Sequence, residues 1–508
     1  MKHYLYFSIK FILVGIIQNQ SIKGLVYSYI GVVVGFITTG YLMPRFLLPD
    51  EVGLLRVLVS YAVLLAQFSG LGFSIVAVKM FPYFRDQATR HHGFFGLFSL
   101  ISLIGFLLVM TIFGIYSYFF MADDFSQSPL LKNYFYWIIP LTFFVLLYNI
   151  ADAYYRALFD AIKGTILKDV VQRILILITL ILFILQFYTL GNLILYYSLA
   201  FAIPPFIMFY HLVRDRQIGW IPDFKFLNKE LRKNVWNVAL FGLLSSFSGI
   251  LVLNIDVLMV ERFMGLTQAG LYTITFFFGT LIMIPARPLT RISSIVIAEA
   301  FMKDDISEVD SIYKKSSINL TSIAILVFLG LAINMENIMT MIGEDYRAGY
   351  AVIILIGLSN VIEMSTGVIN QIIFNSKFYR YSSYFILFFA ILIIISNIVF
   401  IPIYGIMGAA LATLIAKSVY IFVKLGFVKL KLGLNPYSIK SILVLVIGLF
   451  TYYTQSFISP IDNYIVDIFI RSSFATIIFS ILVFLFKISP DINKWLKTSI
   501  NSLINSQK

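Results

Sequence analysis

Apolar runs long enough to cross a bilayer recur along this entire chain, and that feature excludes most folds before any motif is read. Roughly 20 helical residues span the ~30 Å of hydrocarbon in a membrane. A soluble chain of 508 residues needs far more charge on its surface than the 12% found here, where 60% of residues are hydrophobic and the mean hydropathy is +0.91. The 50 Phe and 31 Tyr suit lipid-facing surfaces and interfacial belts. The sequence therefore reads as an all-α, polytopic integral membrane protein.

Fourteen spans are expected, near 24–43, 53–78, 93–120, 134–158, 170–188, 192–211, 235–260, 268–287, 317–335, 350–374, 381–400, 405–427, 438–456 and 465–486. Residues 1–20 lack a small-residue cleavage site and read as a short interfacial helix leading into the first span. With the N-terminus cytoplasmic, the outside segments hold only Arg45, Arg56, Lys132, Arg262, Arg347 and Arg471, and the other 32 of the 38 Lys and Arg fall inside. The positive-inside rule then orients the chain with both termini cytoplasmic. The net charge of +13 alternates with the spans instead of forming one stripe, so nucleic acid is not an expected partner.

Arg45-Phe46 with Gly53-Leu54 recurs as Arg262-Phe263 with Gly270-Leu271, at the same offset in both places. Spans 1 and 7 cross in the same direction, so the match suggests two parallel six-helix lobes with two further C-terminal helices. The expected division is an N-terminal lobe over 1–213, a cytoplasmic linker over 214–233, a C-terminal lobe over 234–430, and spans 13 and 14 with the tail over 431–508.

No P-loop, G-x-G-x-x-G or H-E-x-x-H motif is present, there are no cysteines, and none of the four histidines lies mid-span. No cofactor or metal is expected, and the outer loops are too short for a catalytic ectodomain. The informative residues are the ionisable groups within spans, because a charge at the helix centre costs ~2.5–3.5 kcal/mol on the lenient scale. Asn360, Glu363, Gly367 and Asn370 fall on one helix face, which reads either as a cavity wall or as a protonated acid packed between helices. Asp256 can bind a cation, take a proton, pair with an arginine, or be a satisfied interfacial carboxylate. Arg287, between Pro285 and Pro288, and Arg291 one turn on can hold phosphate or simply cap a cytoplasmic helix end. Arg45 and Arg56 are rare outer-side cations that suit the exit of an anionic headgroup, although Arg56 can also snorkel. Span 1 is uncharged, and its Ser28, Gly31, Gly35 and Thr38 form a small-residue packing face. The Asp123-Asp124 pair reads as a solvated turn.

Three segments carry a family resemblance. Gln20–Gly24 followed by Met43-Pro44-Arg45-Phe46-Leu47-Leu48-Pro49-Asp50-Glu51-Val52-Gly53-Leu54-Leu55-Arg56 is similar to the opening of bacterial polysaccharide flippases. Asn254-Ile255-Asp256-Val257-Leu258-Met259, then Gly270-Leu271-Tyr272, resembles their seventh span and the loop after it. Pro402-Ile403-Tyr404-Gly405-Ile406-Met407-Gly408-Ala409-Ala410-Leu411-Ala412-Thr413 resembles the start of their twelfth. The family comprises the O-antigen and capsule repeat-unit flippases of the multidrug, oligosaccharidyl-lipid and polysaccharide exporter superfamily. The resemblance implies a central cavity, alternating access, location in the bacterial inner membrane, and a polyprenyl-pyrophosphate-linked oligosaccharide substrate. It also implies the polysaccharide polymerase and chain-length machinery as partners. Arg45, Arg56, Arg287, Arg291, Asn360 and Asn370 are the expected substrate contacts, and Asp256 and Glu363 the expected proton or ion sites. The alternatives are a drug or organic-cation antiporter of the same superfamily and a membrane enzyme acting on lipid-linked sugars.

Overall fold

The computed structural model describes residues 23–120 and 128–489, so the interfacial helix expected over 1–20, the Asp123-Asp124 turn and both termini lie outside the described residues. No strand occurs among the described residues. Every backbone group in hydrocarbon must be satisfied within the chain, and the helix does this locally. The chain divides into two compact units, Met1–Gly270 and Leu271–Lys508.

In the first unit, α1 (Lys23–Phe46) includes a π-helical stretch, Phe36–Leu42. Then come α2 (Pro49–Ser69), α3 (Phe73–Phe84), α4 (Phe94–Phe120), α5 (Ile138–Ala157), α6 (161–184, with a π-helical stretch at Ile166–Gln172) and α7 (Leu190–Arg214). The start of α2 is set locally. Pro49 occupies the first turn, and the Glu51 carboxylate accepts from the Leu48 N–H at 2.9 Å. The unit's core is aromatic, with Phe81 at 5.6 Å from Phe94 and 5.4 Å from Tyr154 between ring centroids. The small-residue face of α1 packs against α6: the Ser28 hydroxyl donates to Asp169 at 2.9 Å, and the Arg173 guanidinium donates to the Gly31 carbonyl.

Helix α8 (Lys229–Thr280) is interrupted at Gly265 (φ 83°) and runs across the division between the units. The second unit continues with α9 (Ala286–Met302), α10 (Ile306–Ile333), α11 (Met335–Ile342), α12 (Tyr350–Ser365), α13 (Ile369–Asn375), α14 (Tyr381–Leu432, interrupted at Gly405), α15 (Ile439–Thr454) and α16 (Tyr464–Leu485).

Eleven helices among the described residues are long and apolar enough to cross a membrane. Two of them, Lys229–Met283 and Tyr381–Leu432, run for 55 and 52 residues, over twice the roughly 20 that one crossing needs. Helix α6 is not among the eleven, because Lys163, Lys168, Asp169 and Arg173 interrupt its apolar run. Two expected spans also differ in detail. Residues 53–78 break at Gly72 (φ 77°), and 350–374 break after Ser365.

The repeated Gly53 and Gly270, both in the first unit, approach each other's backbones. A Cβ on Gly53 would run into the Leu266 carbonyl, and one on Gly270 into the Pro49 carbonyl. Gly270→Val is expected to destabilise the protein by roughly 1–3 kcal/mol, read as a lowered thermal midpoint in detergent. Gly330→Ala, at a helix position with open space around it, is the control and is expected not to lower it.

Candidate functional site

The second half of α14 is built to approach a neighbour closely. After the break at Gly405 (φ 60°), Gly408, Ala409, Ala410, Ala412, Thr413 and Ala416 are all buried. Small residues let helix backbones come together: Gly408 lies against the Phe400 carbonyl of the segment before the break, and α14 packs along α12. The face then continues with Lys417, Tyr420 and Lys424, at i, i+3 and i+7.

Lys417 Nζ donates to Glu363 Oε2 at 2.9 Å and to Asn360 Oδ1 at 2.8 Å. Asn360 is buried, and its amide group donates to the Gly279 carbonyl at 2.9 Å, which fixes the orientation of its oxygen toward the lysine. One helical stretch further along, Lys424 is 3% exposed. Its ammonium donates to Asn370 Oδ1 and to the Tyr420 hydroxyl at 3.2 Å, and it lies 4.5 Å from the Tyr420 ring centroid. The Tyr420 ring is itself stacked on Phe389 at 4.7 Å. No carboxylate forms an ion pair with Lys424 among the described residues. The cluster thus holds two ammonium groups and one carboxylate.

The residues expected on one face of span 10 do meet this cluster, but they do not share one helix. Helix α12 ends at Ser365, where the Ser365 and Thr366 hydroxyls fold back on the Ile362 and Glu363 carbonyls at 2.7 Å. Gly367 then adopts φ 59°, and a side chain there would press on Ser316 and Ser317 of α10. Asn370 belongs to α13, so the face is rebuilt across a break.

The other expected residues belong to other elements. In the first unit, Arg56 turns from α2 onto α8, 3.4 Å from both the Leu253 carbonyl and Asn254 Oδ1. Asp256, two residues on from Asn254, is buried at 5% exposure. Arg45 is exposed and donates to the Tyr41 hydroxyl of its own helix at 3.2 Å. In the second unit, Arg287 and Arg291 are exposed on the first turns of α9.

Lys417 and Lys424 are absent from the expected site residues. A tally of basic residues by side places both among the 32 inside charges, although both fall within span 12 as drawn. The signal that finds them is their i, i+7 spacing, with Tyr420 between, on an otherwise apolar helix.

Residues 18–297, more than half of the chain, match the polysaccharide biosynthesis protein family. The chain belongs to that family. Among solved structures it is similar to the lipid II flippase MurJ in an inward closed conformation, with a TM-score of 0.71 and 15% identity over 92% of this chain and 98% of that one. It is also similar to a multidrug resistance MATE family transporter of the MOP superfamily in its inward-facing conformation, with a TM-score of 0.61 and 14% identity over 81% of this chain and 98% of that one. At these identities the likeness establishes the fold, a multi-pass helical one of the MurJ and MATE kind. A comparison with curated proteins returns no match.

Removing either member of the Lys417–Glu363 pair strands its partner, so each single substitution is expected to cost more than the double. In a cycle of Lys417→Met and Glu363→Gln, thermal denaturation should give a coupling energy of about 0.5–3 kcal/mol. Strictly additive losses would show that the two groups do not depend on each other.

Proposed function

We propose that this polysaccharide biosynthesis family protein is a flippase. It moves polyprenyl-pyrophosphate-linked oligosaccharide repeat units of an O-antigen or capsule pathway from the cytoplasmic to the periplasmic leaflet of the bacterial inner membrane. The carrying observation is the net-positive cluster of Lys417, Lys424 and Glu363 set among the helices of a membrane protein. A buried ammonium with only neutral acceptors is costly in an apolar medium, and an incoming phosphate oxygen supplies the missing negative charge. An organic cation would meet repulsion at the same place.

In this reading the topology is fourteen spans with both termini cytoplasmic, arranged as the lobes 1–213 and 234–430 joined by the linker 214–233, with 431–508 appended. The lengths of Lys229–Met283 and Tyr381–Leu432, each interrupted at a glycine, support two crossings apiece. Arg287 and Arg291 make the first contact with the phosphates, and Arg45 and Arg56 act near the exit. Lys424 with Asn370, and Lys417 with Asn360, hold the headgroup while the lipid tail stays in the bilayer. Alternating access exposes the headgroup on the far side, and no covalent bond changes. The polysaccharide polymerase and chain-length machinery receive the product. Glu363 and Asp256 are the groups whose protonation biases the two states: a phosphate that takes Lys417 leaves the Glu363 carboxylate without its partner.

The test is leaflet translocation of a fluorescent polyprenyl-pyrophosphate oligosaccharide in proteoliposomes, with and without a pH gradient. Protein-dependent movement of chemically unchanged substrate is expected. Lys424→Gln should slow it about tenfold or more, the equivalent of losing ~1.4 kcal/mol of interaction, whereas Lys424→Arg should retain more of the rate. Glu363→Gln should flatten the dependence on pH. Efflux of organic cations without lipid movement would overturn the reading in favour of a drug antiporter, and a cleaved substrate would identify an enzyme.

A further inference from the structure

Between α7 and α8, residues 215–228 contain no long helix, yet their backbone is held firmly against the turn between α3 and α4. That turn places four consecutive residues, Arg90, His91, His92 and Gly93, at φ of 50°, 61°, 52° and 65°. Each of the three that are not glycine costs roughly 1–2 kcal/mol in this conformation, so the contacts around them must compensate. The Asp223 N–H donates to the His92 carbonyl at 3.1 Å, and the Gly96 N–H to the Gly219 carbonyl at 3.0 Å. The Tyr154 hydroxyl donates to the Gln217 carbonyl at 2.7 Å, and His91 Nε2 lies 3.3 Å from Gln217 Oε1. The His92 ring stacks on Phe226 at 3.8 Å with only 9° between the planes. His92 also stands between Asp223 Oδ2 at 3.5 Å and Asp86 Oδ2 at 4.0 Å. The Asp86 carboxyl is held below its ordinary range by the Thr89 hydroxyl and the Ala88 N–H, which keeps it charged.

The segment buries Ile218 and packs Phe226 and Leu227 against the core of the first unit, but it turns three other apolar side chains outward. Trp220 is 58% exposed, Ile221 86% and Phe224 63%. They continue an exposed face of α7 formed by Phe206, Tyr210 and Val213 at i, i+4 and i+7. The connection is physical: Phe95 packs at 5.7 Å on Phe209 of α7 and at 5.7 Å on Trp220. Beside these side chains stand Arg216, Lys225, Lys229, Arg232 and Lys233, which are exposed and make no ion pair among the described residues. Indole and phenyl rings flanked by unpaired cations match the headgroup layer of an anionic leaflet, where aromatic residues anchor and each basic residue near the surface contributes about 1 kcal/mol.

We propose that residues 216–233 are a docking surface for anionic phospholipid, holding the connection between α7 and α8 on the membrane surface as an extension of the lipid-facing side of α7. In the orientation proposed above, that surface is the cytoplasmic leaflet. The strained turn has a purpose in this arrangement, because it fixes the backbone so that Trp220, Ile221 and Phe224 point outward together.

The experiment uses the full chain carrying Trp137→Phe, Trp236→Phe and Trp495→Phe, so that Trp220 is the only indole. It is reconstituted in vesicles of phosphatidylglycerol with phosphatidylethanolamine and, separately, of phosphatidylcholine. Lipids brominated near the headgroup should quench Trp220 at least twofold, and aqueous iodide should quench it at least twofold less than it quenches free tryptophan. Lys225→Glu with Arg216→Glu should weaken the lipid quenching in the anionic vesicles and leave it unchanged in phosphatidylcholine. Ile221→Glu with Phe224→Glu should shift Trp220 toward iodide in both. Full iodide access with no effect of brominated lipid would overturn the proposal and assign the surface to water or a protein partner. Equal lipid quenching in the charge-reversed variant would remove the anionic headgroup as its ligand. Each readout is independent of transport, so the result stands apart from the flippase reading.

Discussion

A lysine ammonium set among membrane helices must find oxygen, and in the second unit that requirement ties three helices together. Lys417 reaches a carboxylate and a side-chain amide of α12, and Lys424 reaches an amide of α13 and a phenol of its own helix. Neither contact exists unless α14 lies close against its neighbours, and the buried alanines after Gly405 add little bulk to that approach. One of the three segments that carry the family resemblance, Pro402–Thr413, therefore also leads directly into the charged stretch of α14. Gly408 brings the backbone after the break against the Phe400 carbonyl before it, and that turn sets the line along which the lysines follow.

How legible this was in the sequence depended on how local the cause is. The helical, multi-pass character followed from apolar runs, since lipid permits little else. The breaks were harder to see. Gly405 and Gly265 terminate helices because they adopt positive φ, whereas Gly31 and Gly35 stay helical and serve as contact surface, and a glycine in a string of letters does not announce which it will do. Asn360, Glu363 and Asn370 stood out because polar groups are rare within an apolar run. Lys417 and Lys424 did not, because near a positive-inside boundary a lysine looks like surface charge. What changes their meaning is a partner 57 or 54 residues earlier in the chain, and no local pattern contains it. Arg287 and Arg291 were singled out by their prolines, and both stand exposed at a helix start.

The first unit applies the same physics to different ends. There the charged residues of α6 are brought against α1 by Gly31 and Gly35, so that a guanidinium finds a backbone carbonyl where two larger side chains would have kept the helices apart. Gly53 and Gly270 show the principle at a helix start: each lies where the other's backbone passes, and their equal spacing within the repeated motif makes the contact a meeting of like with like. In both cases the absence of a Cβ is the structural information.

The break at Gly367 gives the oxygen partners of the two lysines separate mechanical addresses. A continuous helix from Asn360 to Asn370 would move as one rod, and any turn of it would disturb Glu363 and Asn370 by the same amount. With α12 ending at Ser365 and α13 beginning at Ile369, Lys417 answers to one rod and Lys424 to another, and the joint between them rests on Ser316 and Ser317 of α10. Both ammonium groups stand on α14 and keep a fixed spacing of two turns, so a shift at the joint changes which oxygens meet them and leaves the charges where they are.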